Sequence, residues 1–149
     1  MKVLSVVQPW AWLIVNGHKD VENRTWSTTH RGSLLIHASH QRSTAFSQPA
    51  YQLAERLGID VPSPWDLPYG AIVGLCELVD IVTGVGLASP WAERDWAWLL
   101  RGAASLTTPI DCRGRLRLWD VPCQVAVAQN GRARLMYVSG PGSEPEVQG

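Results

Sequence analysis

Lys19, Glu22 and Arg24 fall within the stretch "NGHKDVENRTW", residues 16–26, in a chain of 149 residues that holds only two lysines. Two cations and a carboxylate at that spacing suit more than one chemistry. In a cleft they fix one another's orientation and ionisation: the carboxylate accepts from the exocyclic amine of a base, and the arginine meets a phosphate or a carbonyl edge. A desolvated ammonium can instead act as base or nucleophile. On an open surface the same residues form an ordinary ion pair worth about 0–1 kcal/mol. Asn23 stands between Glu22 and Arg24, and Trp26 follows as a plate on which a base can stack.

A second carboxylate, Glu77, lies in the apolar run "AIVGLCELVDIV", residues 71–82. Two-residue alternation puts it on the face of Ala71, Val73, Leu75, Val79 and Ile81, where it would be desolvated and, if Lys19 reached it, could share a proton. A bulge at Gly74 shifts that phase and turns Glu77 outward. Both outcomes are open in the sequence. Arg31, Arg113, Arg115 and Arg117 either extend a phosphate-contacting rim or form a solvated face. His37 and His40, three apart in "HASH", project to opposite faces of a strand, and no third ligand accompanies them, so no metal is expected. Ser39 beside them lacks any oxyanion motif.

The elements that carry these residues can be read from their punctuation. "KVLSVV" is a β-branched strand, and Pro9 pre-sets the start of a short helix whose Trp10, Leu13 and Ile14 share one face. Trp10 is therefore expected to be mainly structural. Gly17 stops that helix, which places Lys19 on a helix-to-strand connection. With no apolar face to fill there, removal of Lys19 is expected to leave stability nearly unchanged. Strands follow over 21–26 and 33–39, the latter with Leu34, Ile36 and Ala38 on one face and Leu35 and His37 on the other. A helix with Ser47 as N-cap and Pro49 in its first turn ends at Gly58. Residues 71–82 read as a central strand, "DWAWLL" and "RLRLWDVP" as two more, and "VAVAQNGRARLMYV" as a hairpin about Asn130-Gly131. Residues 1–138 make one domain on this reading, and 139–149 a disordered tail.

Composition narrows the class. The formal net charge is zero, with the acidic excess concentrated in residues 41–109, seven acidic groups against four basic, so any basic face must be local. Three cysteines without a C-x-x-C pair suit a reducing, cytoplasmic setting. No apolar run approaches the roughly 20 residues of a membrane span, and no signal segment is evident. Short strands with a few helices point to an α+β mixed β-barrel; the absence of a glycine-rich phosphate loop argues against a Rossmann or P-loop enzyme, and no cofactor is expected.

Four blocks in order carry a resemblance: "SVVQPWAWLIVNGHKDVENRTW", "RGSLLIHAS", "YGAIVGLCELVDI" and "RGRLRLWDVP". Together they resemble the ASCH domain of the PUA-like superfamily, whose signature is Q-P-W before the first helix and G-x-K-x-x-E-x-R after it. Here these are Gln8-Pro9-Trp10 and Gly17 through Arg24. The resemblance implies a PUA-like barrel of about six strands with two or three short helices packed on it. It also implies a cleft for RNA, single-stranded nucleic acid or a modified nucleoside, lined by Gln8, Lys19, Glu22, Asn23 and Arg24, to which the reading of the residues adds Trp26 and Arg31 as ligand-binding candidates. Some relatives are ribonucleases, and one branch hydrolyses N4-acetylcytidine with a lysine, a threonine three positions later and a strand glutamate. A hydrolase here would use Lys19 with Glu22 or Glu77, and Glu22 stands where that threonine would be.

Overall fold

The computed structural model describes residues 1–42, 44–129 and 132–137. The Asn130-Gly131 turn and the tail 139–149 lie outside the described residues. Eight strands and two helices follow in the order β1 (Lys2–Val6), α1 (Trp10–Val15), β2 (Val21–Arg24), β3 (Gly32–Ala38), α2 (Thr44–Arg56), β4 (Ala71–Thr83), β5 (Trp96–Asp111), β6 (Leu118–Asp120), β7 (Cys123–Gln129) and β8 (Arg132–Tyr137). They form one sheet in the order β6-β1-β3-β4-β5-β8-β7, with β2 pairing the other part of β5. Strands β1 and β3 run parallel, as do β5 and β8; the remaining pairs are antiparallel. The body is an α+β, PUA-like curled half-barrel of six strands, which β8 and β7 prolong beyond β5.

Alternation in β3 divides the core. Leu34, Ile36 and Ala38 join Leu4, Val6, Ile14, Leu78 and Trp98 on the α1 side, while Leu35 faces Val3, Ile72 and Trp119 on the other. A third cluster, Leu13, Val21, Ala50, Ala54, Trp91 and Ala97, seats α2. That helix begins at Thr44, earlier than a Ser47 cap implies. Ser47 Oγ donates to the Thr44 carbonyl at 3.5 Å, so it bonds back along the helix and does not cap it, and Pro49 lies inside. As the sixth residue of the helix it forfeits the backbone bond to the Ala45 carbonyl, and the buried Ala50 and Ala54 offset that loss.

Strand β4 is out of phase with a simple two-residue alternation. Its register against β5 shifts between Ile72 and Gly74, between Leu75 and Glu77 and between Leu78 and Asp80. Val73 and Cys76, three residues apart, consequently face the same cluster. Gly74 sits where α1 presses on the sheet: a Cβ there would lie 2.5 Å from both Val15 Cγ1 and the Ala104 carbonyl oxygen. Among the described residues no helix is long and apolar enough to cross a membrane.

Candidate functional site

The end of α1 aims Lys19 inward. Gly17 adopts φ 78°, a left-handed conformation glycine reaches without strain. The chain then folds back so that His18 and Lys19 both donate their backbone N–H to the Leu13 carbonyl, at 2.9 and 3.0 Å. Lys19 is thereby buried, at 4% exposure, and not on a solvated turn. This burial contradicts the exposed placement on which the expectation of nearly unchanged stability rested.

Strand β2 supplies the partners. Lys19 Nζ donates to Glu22 Oε1 at 2.6 Å, Arg24 Nη2 donates to Glu22 Oε2 at 2.9 Å, and the same Nη2 reaches the Ser5 carbonyl at 2.6 Å. The Asn23 backbone N–H adds a longer bond to Glu22 Oε1, at 3.3 Å. One carboxylate thus bridges two cations. Burial pushes the Glu22 carboxyl up, but the charges of Lys19 and Arg24 and their hydrogen bonds overcome it and hold it below the ordinary glutamate value of 4.5. Arg24 Nε, although buried, has no acceptor among the described residues. Such an unmet donor costs about 1–3 kcal/mol.

These residues line a cleft of about 450 Å³, within the range of small-molecule sites. Trp10, Trp26 and Trp91 stand around it. Lys19 Nζ lies 5.1 Å from the Trp10 ring centroid, and Trp10 meets Trp91 edge-on at 6.2 Å. Trp26 meets the buried Trp98 edge-on at 4.8 Å. Trp10 thus packs on the core, as its helix face implied, and also borders the cleft.

Residues 90–95 make a wall that sequence reasoning missed. They are tied to the Lys19–Arg24 stretch through Asn23, whose Nδ2 donates to the Trp91 carbonyl at 2.9 Å and whose Oδ1 accepts from Glu93 N at 3.0 Å. Ser89 Oγ donates to Asp20 Oδ1 at 2.7 Å. The polar residues between Lys19 and Arg24 therefore clamp a loop about seventy positions away. The available signal was "SPWAERDW", with two tryptophans and a proline in eight residues.

The structure brings together Lys19, Glu22, Asn23, Arg24 and Trp26, and places the other candidates elsewhere. Gln8 is buried, with Nε2 donating to the Pro68 carbonyl at 3.0 Å and Oε1 accepting from Trp12 N at 2.9 Å; both ends of its amide serve the chain. Arg31 is exposed, donating to the Thr28 and His30 carbonyls and to Asp80. Glu77 takes the outward alternative: the register shifts of β4 turn it to solvent, where Arg101 Nε and Nη2 donate to its two oxygens, each at 3.1 Å. No contact joins Glu77 to Lys19 among the described residues. Cys76 faces the core instead, and burial, with the Glu22 charge adding to it, pushes its thiol up to about 12, so it is inert as a nucleophile. His37 is buried between Ser5 Oγ and the Cys112 carbonyl, each at 2.9 Å, and desolvation lowers its pKa. No group of three His, Cys, Asp or Glu side chains among the described residues could hold a metal ion.

A family model described as ASCH domain matches residues 4–108. Two curated proteins, Activating signal cointegrator 1 of Mus musculus and of Homo sapiens, are each 28% identical to the chain over 130 residues. Those matches cover 82% of this chain and 22% of each relative, so the chain spans about a fifth of their length.

Proposed function

The chain belongs to the ASCH domain family, and from that membership we propose that it binds RNA, single-stranded nucleic acid or a modified nucleoside, with one base held in the Trp10–Trp26–Trp91 cleft. The family shares the PUA-like fold, a fold associated with RNA. One observation carries the reading: a nucleotide-sized cleft whose floor is a buried Lys19–Glu22–Arg24 chain and whose sides are tryptophans. Tryptophan faces offer stacking worth about 1–3 kcal/mol per base, whatever the base. Glu22 accepts from an exocyclic amine, and the part-exposed Arg24 guanidinium meets the carbonyl edge of a bound base. In this proposal residues 1–138 are the working unit, in a reducing, cytoplasmic setting that suits the free thiols of Cys76 and Cys112.

The arrangement favours binding over hydrolysis. A carboxylate already accepting from Lys19, Arg24 and Asn23 and held below its ordinary range is a weak general base. Glu77, the alternative partner of Lys19, is engaged with Arg101. Incubation with a panel of modified nucleosides and short RNAs, read by mass spectrometry for retention and for conversion, tests both readings. Retention without conversion is expected. Conversion of any member, N4-acetylcytidine included, replaces the binding module with a hydrolase, and neither retention nor conversion removes the cleft as a nucleotide site.

A further inference from the structure

The stretch 112–117 lines a second hollow at one end and reaches a wall residue of the cleft at the other. Cys112 and Arg113 line a shallow depression with His40, Tyr69, Gly70 and Asp111. At the other end, Arg117 has a left-handed backbone, φ 57°, and lays its guanidinium 5.1 Å from the Trp26 ring centroid. A non-glycine residue carries strain in that region, and here the strained residue brings a cation to a wall of the cleft. Between these ends Gly114 lies so close to Ser5 and His37 that a Cβ would sit 2.8 Å from the His37 ring and 2.9 Å from Ser5 Oγ. The loop is pinned at its middle, while Arg113, Arg115 and Leu116 stand exposed, Leu116 at 94%.

The far depression has the parts of a stacking site. The Arg42 guanidinium lies 4.1 Å from the Tyr69 ring centroid, and the Tyr69 hydroxyl fixes the ring by donating to the Pro64 carbonyl at 2.9 Å. Arg42 and Arg113 outnumber Asp111, the acidic residue of that depression. On the cleft's other wall Glu93 and Asp95 are exposed. A polyanion is repelled by that wall and drawn toward the arginine loop.

Building on the cleft reading, we propose that a single-stranded nucleic acid with one base in the cleft runs out over residues 113–117 and stacks a further base at Tyr69. The four residue steps from Arg113 to Arg117 span at most about 14 Å, so one short oligonucleotide can touch the cleft and the Tyr69 depression. Arg113, Arg115 and Arg117 meet its phosphates, and Leu116 offers an apolar contact between them.

The test is fluorescence anisotropy with a labelled oligouridylate over a salt series, alongside uridine titrations monitored at the Trp26 indole N–H by proton–nitrogen correlation spectra. For single strands the slope of log K against log salt changes by about 0.7 per phosphate contact. The double variant Arg113→Ala/Arg115→Ala, altered only at exposed positions, should flatten the slope by about 1.4 and weaken the oligonucleotide. Tyr69→Ala should weaken it about tenfold, Tyr69→Phe far less, and uridine should move the Trp26 signal equally in all of these. Wild-type affinity and slope in the double variant overturn the path, as does a wild-type protein that takes uridine but not the oligonucleotide. Failure of the cleft itself looks different: Trp26→Ala would leave oligonucleotide affinity intact, and the path from the cleft would fall with it.

Discussion

Replacing Glu22 by glutamine should destabilise the protein, and the size of the loss follows from what it leaves behind. The Lys19 side chain is 2% exposed and the Glu22 side chain 10%. Removing one member of a buried ion pair costs about 3–5 kcal/mol, because the other charge stays buried without compensation. Glutamine keeps one oxygen that can accept from Lys19, and Arg24 keeps the Ser5 carbonyl, so the lower end, about 3 kcal/mol, is expected. With a urea m-value of about 2 kcal/mol/M, the midpoint falls by about 1.5 M. Lys19→Met should cost less, since Glu22 retains Arg24 at 2.9 Å. The double variant Lys19→Met/Glu22→Gln should be more stable than the sum of the singles by about 0.5–3 kcal/mol. The sign of the pH dependence is fixed too. The folded Glu22 pKa lies below 4.5, so its stabilisation is fully present above that value and is lost as pH falls through the folded pKa. The gap between wild type and Glu22→Gln should therefore narrow on acidification below about 4.5. Urea unfolding followed by tryptophan fluorescence measures all of this. A Glu22→Gln midpoint indistinguishable from wild type at neutral pH, with unchanged m, would refute the buried-pair argument.

Three further outcomes are expected. Glu77→Gln should change neither the urea midpoint nor nucleoside retention, because its pair with Arg101 is solvent-exposed; a lost activity or affinity would return Glu77 to the site. Gly74→Ala should destabilise by about 1–3 kcal/mol, since its Cβ meets the Ala104 backbone carbonyl as well as Val15, and a wild-type melting temperature would show that α1 can move away. His37 is held neutral by burial, its folded pKa below the ordinary 6.5, so it contributes stability above that value that is lost as pH falls through the folded pKa. Urea midpoints across mildly acidic pH should show this slope in wild type but not in His37→Gln, and an equal slope in both would place the titration elsewhere.

Much of the near wall was legible because its determinants are local. Gly17 after a short apolar helix face, then Lys19, Glu22 and Arg24, describe a turn and a strand whose side chains converge within a few residues. The division of β3 into two faces was equally legible, since a strand without a bulge keeps a strict two-residue period. Glu77 was not decidable. Its direction depends on register shifts set by pairing with β5, and no local residue pattern counts them. The burial of Lys19 was misread because it arises from the backbone folding onto Leu13 and from partners on another strand, not from any apolar neighbour in sequence. The 90–95 wall was invisible for the same reason: Asn23 reads as a ligand-facing amide until the Trp91 carbonyl and the Glu93 N–H occupy it.

The central claim is that the tryptophan-lined cleft holds a base, and the indole N–H signals report on it directly. Titration of the isotopically labelled protein with the ribonucleosides, N4-acetylcytidine and a short oligouridylate should move the signals of Trp10, Trp26 and Trp91 together and saturably for at least one of them. Trp65, 87% exposed and outside the cleft, serves as the control and should stay in place on nucleoside addition. A panel that leaves all three cleft signals unmoved, or moves Trp65 alone, would contradict the account.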